Sequence, residues 1–201
     1  YLMGADVDFN NQAVVDELIR FGKWYLDFTN VDGFRLDAVK HIDFTFFTRW
    51  LKELRNYSNR DLFAVGEYWH GDVNKLLHYL EVSNYCMSLF DVTLHFKFHY
   101  ISSSNGTFDM GSIFEDTLVK KAPDYAVTFV ENHDSQPGQS LQSSVANWFK
   151  PIAYALILLR QYGYPCVFYG DYYGIPEYNI DSFKDVIDKM IKVRKELMYG
   201  K

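Results

Sequence analysis

Short apolar runs alternate with longer amphipathic stretches along the 201 residues, in a regular order. An opening loop, YLMGADVDFN, leads to helical spacing over residues 12–28, and the turn NVDG delivers the apolar run GFRLDA. Residues 45–58 return to the helical period, with Phe46, Phe47, Trp50, Leu51 and Leu54 recurring at intervals of three and four. The run LFAVGEYW at 62–69 precedes a helix over 72–81. YCMSLFDV then precedes a mixed segment reaching residue 120, and YAVTFVEN precedes a helix over 143–162. A last pair, YPCVFYGD and a helix over 181–198, ends the series. This alternation predicts βαβ units and a parallel sheet. Runs as continuous as AVTFV and CVFY are those of strands buried on both faces.

Each run ends in an acid: Asp37, Glu67, Asp91 and Asp171, with Asp134 just beyond its strand. Ligands of α/β folds bind at the carboxyl ends of strands, so five acids at five successive ends are expected to converge on one mouth. That regularity predicts a (β/α)8 TIM barrel rather than a doubly wound sheet. A complete barrel takes about 250 residues. The chain, which starts in the middle of apparent structure, is therefore expected to be a fragment supplying the latter portion of the barrel, about strands four to eight. With no linker, low-complexity tract or block of like charge, residues 1–201 read as one partial catalytic domain.

Composition narrows the partners. A formal charge of −6 gives no basic footprint for nucleic acid or an anionic membrane surface. No apolar run reaches the roughly 18 to 20 residues of a membrane span, and the best candidate, PIAYALILLRQYGYP, is interrupted by Arg160. Neither partner is expected. Cys86 and Cys166 lie far apart without metal-ligand spacing and read as free buried thiols. Core packing accounts for most of the 16 Tyr, 17 Phe and 4 Trp, but rings also stack on sugar faces, so the excess leans toward a carbohydrate ligand.

Three stretches carry candidate chemistry. In GFRLD, strand alternation puts Arg35 and Asp37 on one face and Phe34 and Leu36 on the other, so the charged pair is expected to point inward. Taken alone, an RxD of this kind is better read as a structural bridge. Its catalytic reading is a carboxylate kept ionised by a neighbouring guanidinium and aimed as a nucleophile. Glu67 in VGEYWH, among Tyr68, Trp69 and His70, suits a general acid, against a solvated loop residue as the plainer alternative. FVENHDSQPGQS follows a strand with Glu131, Asn132, His133 and Asp134, and a turn with an Asx cap explains it equally well. His133-Asp134 and His95-x3-His99 could ligate a metal, but no HExxH or Cys/His cluster supports metal-dependent hydrolysis.

Together GFRLDAVKH, GEYW and FVENHD closely resemble, in this order, the strand-four, strand-five and strand-seven motifs of the α-amylase family of glycoside hydrolases. YLMxADVDF, QPGQS and WFKPxAYAxIL are similar to the bacterial liquefying members in particular. The resemblance implies endo-acting, retaining hydrolysis of α-1,4-glucosidic bonds in starch, glycogen or maltodextrin. It implies Asp37 as nucleophile, Glu67 as general acid/base and Asp134 as a third, sugar-binding carboxylate. Arg35, Lys40, His41, Trp69 and His133 match substrate-side positions. Asp6, with the carbonyl of His41, matches ligands of a structural Ca²⁺ and Asp8 matches a ligand of an adjacent metal site, and residues 1–10 match the end of an inserted calcium-binding subdomain; two solvated loop acids are the alternative. Retention in general requires nucleophile and acid about 5 to 5.5 Å apart. A monomeric full-length enzyme is implied as well. The remaining alternatives are a sibling oligosaccharide hydrolase or transglycosylase, and a catalytically inactive relative that binds glucan or protein.

Overall fold

The computed structural model describes residues 7–104 and 106–198. Residues up to 69 together with 75–89 form one compact unit, and residues 70–74 with those from 90 onward form a second.

In the first unit, helix α1 (Gln12–Thr29) starts where the Asn11 side chain accepts the Ala13 N–H and stops where Asn30 turns left-handed. Its buried face, Val15, Ile19, Gly22 and Leu26, packs on α2 (Phe44–Ser58), capped by Asp43 and burying Phe47, Leu51 and Leu54. Gly22 permits the approach, since a Cβ there would sit 2.8 Å from the Trp50 ring. Leu26, Leu54 and Leu62 form the buried cluster, with Val31, Phe34 and Trp50 against it. Beside these helices, strands β1 (Gly33–Leu36), β2 (Phe63–Gly66) and β3 (Ser88–Phe90) run parallel, with Gly33 opposite Phe63 and Val65 opposite Ser88. Gly33 is required by contact: a Cβ would lie 2.3 Å from the Phe63 carbonyl oxygen. Helix α3 (Val73–Val82) intervenes between β2 and β3 in sequence.

The second unit holds α4 (Val92–Ser103), α5 (Leu118–Lys121), β4 (Ala126–Phe129), α6 (Lys150–Leu158), β5 (Tyr164–Cys166), α7 (Tyr169–Tyr173) and α8 (Lys184–Leu197). β4 is buried along its whole length and pairs in parallel with β5, Val127 opposite Tyr164 and Phe129 opposite Cys166. Among the described residues no helix is long and apolar enough to cross a membrane. Cys86 and Cys166 are free, as expected, but half-buried.

Three departures from the sequence pattern have physical causes. The mixed segment hides α4 because this helix is buried on several sides, Val92, Thr93, Leu94, His95, Phe98 and Ile101 among them, and so shows no single apolar stripe. The helix expected over 143–162 begins only at Lys150, followed by Pro151 in its first turn. Upstream, the backbone donors of Ser143, Val145 and Ala146 go to Ser135 O, Glu131 Oε2 and Ser102 Oγ instead of a helical ladder. Third, Asp91 and Asp171 do not open on a mouth. Asp91 is fully buried and accepts the N–H groups of Leu94, Leu118 and Val119. Asp171, equally buried, pairs with Lys150 at 2.5 Å. Both are framework acids.

Candidate active site

β1 ends at Leu36, and Asp37 occupies the turn beyond it. Arg35 donates to Asp37 Oδ1 at 2.5 Å, so the predicted pair forms. It is not buried, however, since the Asp37 side chain is 72% exposed and that of Arg35 36%. With the aspartate past the strand end, the desolvation cost of an interior pair does not arise.

The next residue ties the motif to Glu67. Ala38 adopts the left-handed region, φ 48° and ψ 38°, which turns its N–H toward the neighbouring strand end. There the N–H donates to Glu67 Oε2 at 2.9 Å. The Glu67 N–H donates to Leu36 O at 2.8 Å and Val39 N–H donates to Glu67 O at 3.0 Å, which continues the β1–β2 ladder past the turn. Glu67 is 7% exposed, so it is not a solvated loop residue. Lys40 Nζ reaches the Trp69 carbonyl at 3.0 Å, and His41 closes a short 3-10 turn over Val39–His41 on the surface. Arg35, Asp37, Lys40, His41, Glu67 and Trp69 thus share the first unit.

His133 and Asp134 belong to the second unit and contact one another, Nε2 to Oδ2, at 3.2 Å. They follow β4 in a turn built by Asn132, whose Oδ1 accepts the N–H groups of Asp134 and Ser135. The Asx cap read from the sequence is present, and it presents the acid.

The histidines of α4 serve the framework. His95 is fully buried and stacks on Phe129. Its Nδ1 meets the Val130 carbonyl at 2.8 Å, which can only accept, so Nε2 accepts from Ser143 Oγ at 2.8 Å. Burial pulls its pKa down to about 4. One turn on, His99 Nδ1 meets Ser144 O at 2.7 Å.

Of the expected calcium donors, Asp6 lies outside the described residues. Asp8 is exposed, and its Oδ1 accepts the Asn10 N–H at 2.9 Å at the approach to α1. Carboxylate and carbonyl oxygens suit a hard cation. Among the described residues, however, no group of three or more His, Cys, Asp or Glu is placed to hold a metal, so Asp8 and His41 do not by themselves make a centre.

Periodicity did not single out the buried cluster of Glu131, Ser135, Lys150, Tyr154 and Asp171 behind the His133–Asp134 turn. Its signal was present in WFKPIAYALIL, where one lysine interrupts an apolar helix.

Successive parallel β/α units with carboxylates at and just past the strand ends are the architecture of a (β/α)8 barrel, of which this chain supplies a part. The α-amylase catalytic-domain family model matches residues 2–198, and the chain belongs to that family. It is 58% identical over 200 residues to an α-amylase of Geobacillus stearothermophilus, covering 100% of this chain and 36% of the relative. A glucan 1,4-α-maltohexaosidase of Bacillus sp. (strain 707) is 47% identical, with 100% of this chain and 39% of the relative covered. The crystal structure of an Anoxybacillus α-amylase shares the fold, with a TM-score of 0.70 at 24% identity over 96% of this chain and 46% of that one. The chain spans about two fifths of the length of the curated relatives it matches.

Proposed function

We propose that residues 1–201 are the latter part of the catalytic barrel of an endo-acting, retaining α-1,4-glucan hydrolase, an α-amylase acting on starch, glycogen or maltodextrin. The observation that carries this reading is the Ala38 N–H on Glu67 beside the Arg35–Asp37 pair, which links the two candidate catalytic carboxylates through the adjacent residues Asp37 and Ala38. Membership of the α-amylase family supports it.

Asp37, oriented by Arg35, attacks the anomeric carbon while Glu67 protonates the departing glycosidic oxygen. The resulting glycosyl ester is hydrolysed by water that Glu67 deprotonates, and two displacements retain the anomeric configuration. Asp134 and His133 bind sugar hydroxyls. Lys40 and His41 lie on the leaving-group side, and Trp69 offers a ring for stacking.

In the complete enzyme, Asp37→Asn should abolish starch hydrolysis while leaving the melting temperature near that of the parent. Unchanged turnover would refute Asp37 as nucleophile. A structural Ca²⁺ that Asp6 and the His41 carbonyl would hold, with Asp8 at an adjacent metal site, belongs to the same proposal. Added Ca²⁺ should raise the melting temperature of the parent and not that of Asp6→Asn; equal responses would remove the site.

A further inference from the structure

One buried carboxylate closes the loop of residues 132–145, which carries His133 and Asp134. Glu131 is 1% exposed. Its Oε1 accepts from the Ser135 hydroxyl and its Oε2 accepts the Val145 N–H at 3.0 Å, so a single side chain grips the loop near its start and at its end. The Ser135 hydroxyl hands the constraint on by accepting the Asn132 N–H at 3.0 Å. Asn132 Oδ1 in turn accepts the N–H groups of Asp134 at 3.0 Å and Ser135 at 2.7 Å. Behind Glu131, Lys150 Nζ lies 3.7 Å from Oε2 and 2.5 Å from Asp171 Oδ1, and the Tyr154 hydroxyl donates to Asp171 Oδ2 at 2.7 Å. Lys150, Tyr154 and Asp171 are as fully buried as Glu131.

Two carboxylates and one ammonium make an expensive core. For stability alone, apolar side chains of similar volume would serve at least as well. What they cannot supply is a pair of directed acceptors for two points ten residues apart on one loop. The far end of that loop is also held from α4, since His99 Nδ1 meets Ser144 O and the Ala146 N–H donates to Ser102 Oγ at 3.1 Å. The near end keeps ties of its own, since the Ser143 N–H and the Ser144 hydroxyl donate to Ser135 O at 3.0 and 3.2 Å, so loss of the Glu131 contacts is expected to shift the His133–Asp134 backbone while leaving the unit folded.

We propose that Glu131, held by Lys150, and Ser135 are positioning residues that set the backbone of His133–Asp134 and thereby aim Asp134 at the sugar. The inference rests on the sugar-binding reading of Asp134. The complete enzyme and its Ser135→Ala, Ser135→Thr, Glu131→Gln and Asp134→Asn variants are compared by melting temperature and by kcat and KM on maltoheptaose at 25 °C. Ser135→Ala and Glu131→Gln should lower kcat/KM about tenfold to a hundredfold, chiefly in kcat, as misplacement of a contact by about 1 Å does. The melting temperature of Ser135→Ala should stay within about 5 °C of the parent. Ser135→Thr, which keeps the hydroxyl, should recover kcat/KM to within about threefold. If Ser135→Ala and Glu131→Gln keep parental kcat/KM whatever their melting temperatures, the cluster is merely structural and the inference falls. Should Glu131→Gln not fold, the Ser135 pair decides the question. An active Asp134→Asn refutes the reading of Asp134 itself, whereas an inactive Asp134→Asn beside an unimpaired Ser135→Ala refutes only the positioning.

Discussion

Ala38 shows how a single strained residue can organise a site. A left-handed conformation costs a non-glycine residue about 1 to 3 kcal/mol, and Ala38 adopts it at φ 48°. The strain is offset locally, because that turn lets the Ala38 N–H meet Glu67 and the Val39 N–H meet the Glu67 carbonyl. A residue without a Cβ penalty should relieve it, so Ala38→Gly is expected to gain up to about 1 kcal/mol in urea unfolding. A β-branched side chain has the opposite effect. Ala38→Val should lose about 1 to 3 kcal/mol. A valine variant as stable as the parent would show that the turn relaxes. None of this was legible in GFRLDAVKH, where Arg35 and Asp37 stood out by charge, while an alanine carries no mark of its backbone angle. The pairing itself was legible; its exposure was not, because strand alternation extends β1 through Asp37 although the strand ends at Leu36 and Asp37 sits in the turn beyond it.

Elements of the second unit are joined by buried ionisable groups whose protonation sets stability in opposite directions. Burial pushes the Glu131 carboxyl up from 4.5 to about 7, with Lys150 opposing and Asp171 reinforcing the shift. An acid raised on folding favours the native state while protonated, so this contribution is present below pH 4.5 and is lost as pH rises through 7. The span corresponds to about 3 kcal/mol. Glu131→Gln cannot lose a proton. Its melting temperature relative to the parent should therefore climb between pH 5 and pH 8, and a pH-independent difference would contradict the shift. His95 behaves inversely. Lowered from 6.5 to about 4, it supports folding above pH 6.5, and that support is lost as pH falls toward 4, again on the order of 3 kcal/mol. His95→Gln should accordingly flatten the acid limb of the melting-temperature profile, and an unchanged limb would contradict this. These ties explain what the hydrophobic pattern missed. Strands such as AVTFV and amphipathic helices such as α1 and α2 announce themselves by period. Residues 143–149 carry a helical pattern yet form no helix, because backbone donors among them go to Ser135, Glu131 and Ser102, partners distant in sequence.

At the scale of the molecule, two surfaces bear on what these 201 residues do alone. Among the described residues β1 pairs with β2 on one side only, so one row of its backbone groups has no strand partner. On α1 next to it, Phe21, Trp24, Tyr25 and Phe28 stand 51%, 48%, 37% and 74% exposed, with Trp24 and Phe28 stacked at 5.3 Å. An open strand edge beside an apolar stripe is a template for association. The purified chain is thus expected to self-associate at micromolar concentration, and Trp24→Lys with Phe28→Lys should reduce the associated fraction measured by light scattering. Hydrolysis should be lost for a related reason. A glucan site needs walls on both sides of the cleft, and the chain spans about two fifths of its curated relatives. The isolated chain should therefore release no more reducing sugar from soluble starch than its Asp37→Asn variant, whereas the complete enzyme separates the two sharply. A monodisperse, monomeric chain with robust turnover would overturn both expectations, because it would show that β1, α1 and the Asp37–Glu67 pair already form a finished cleft.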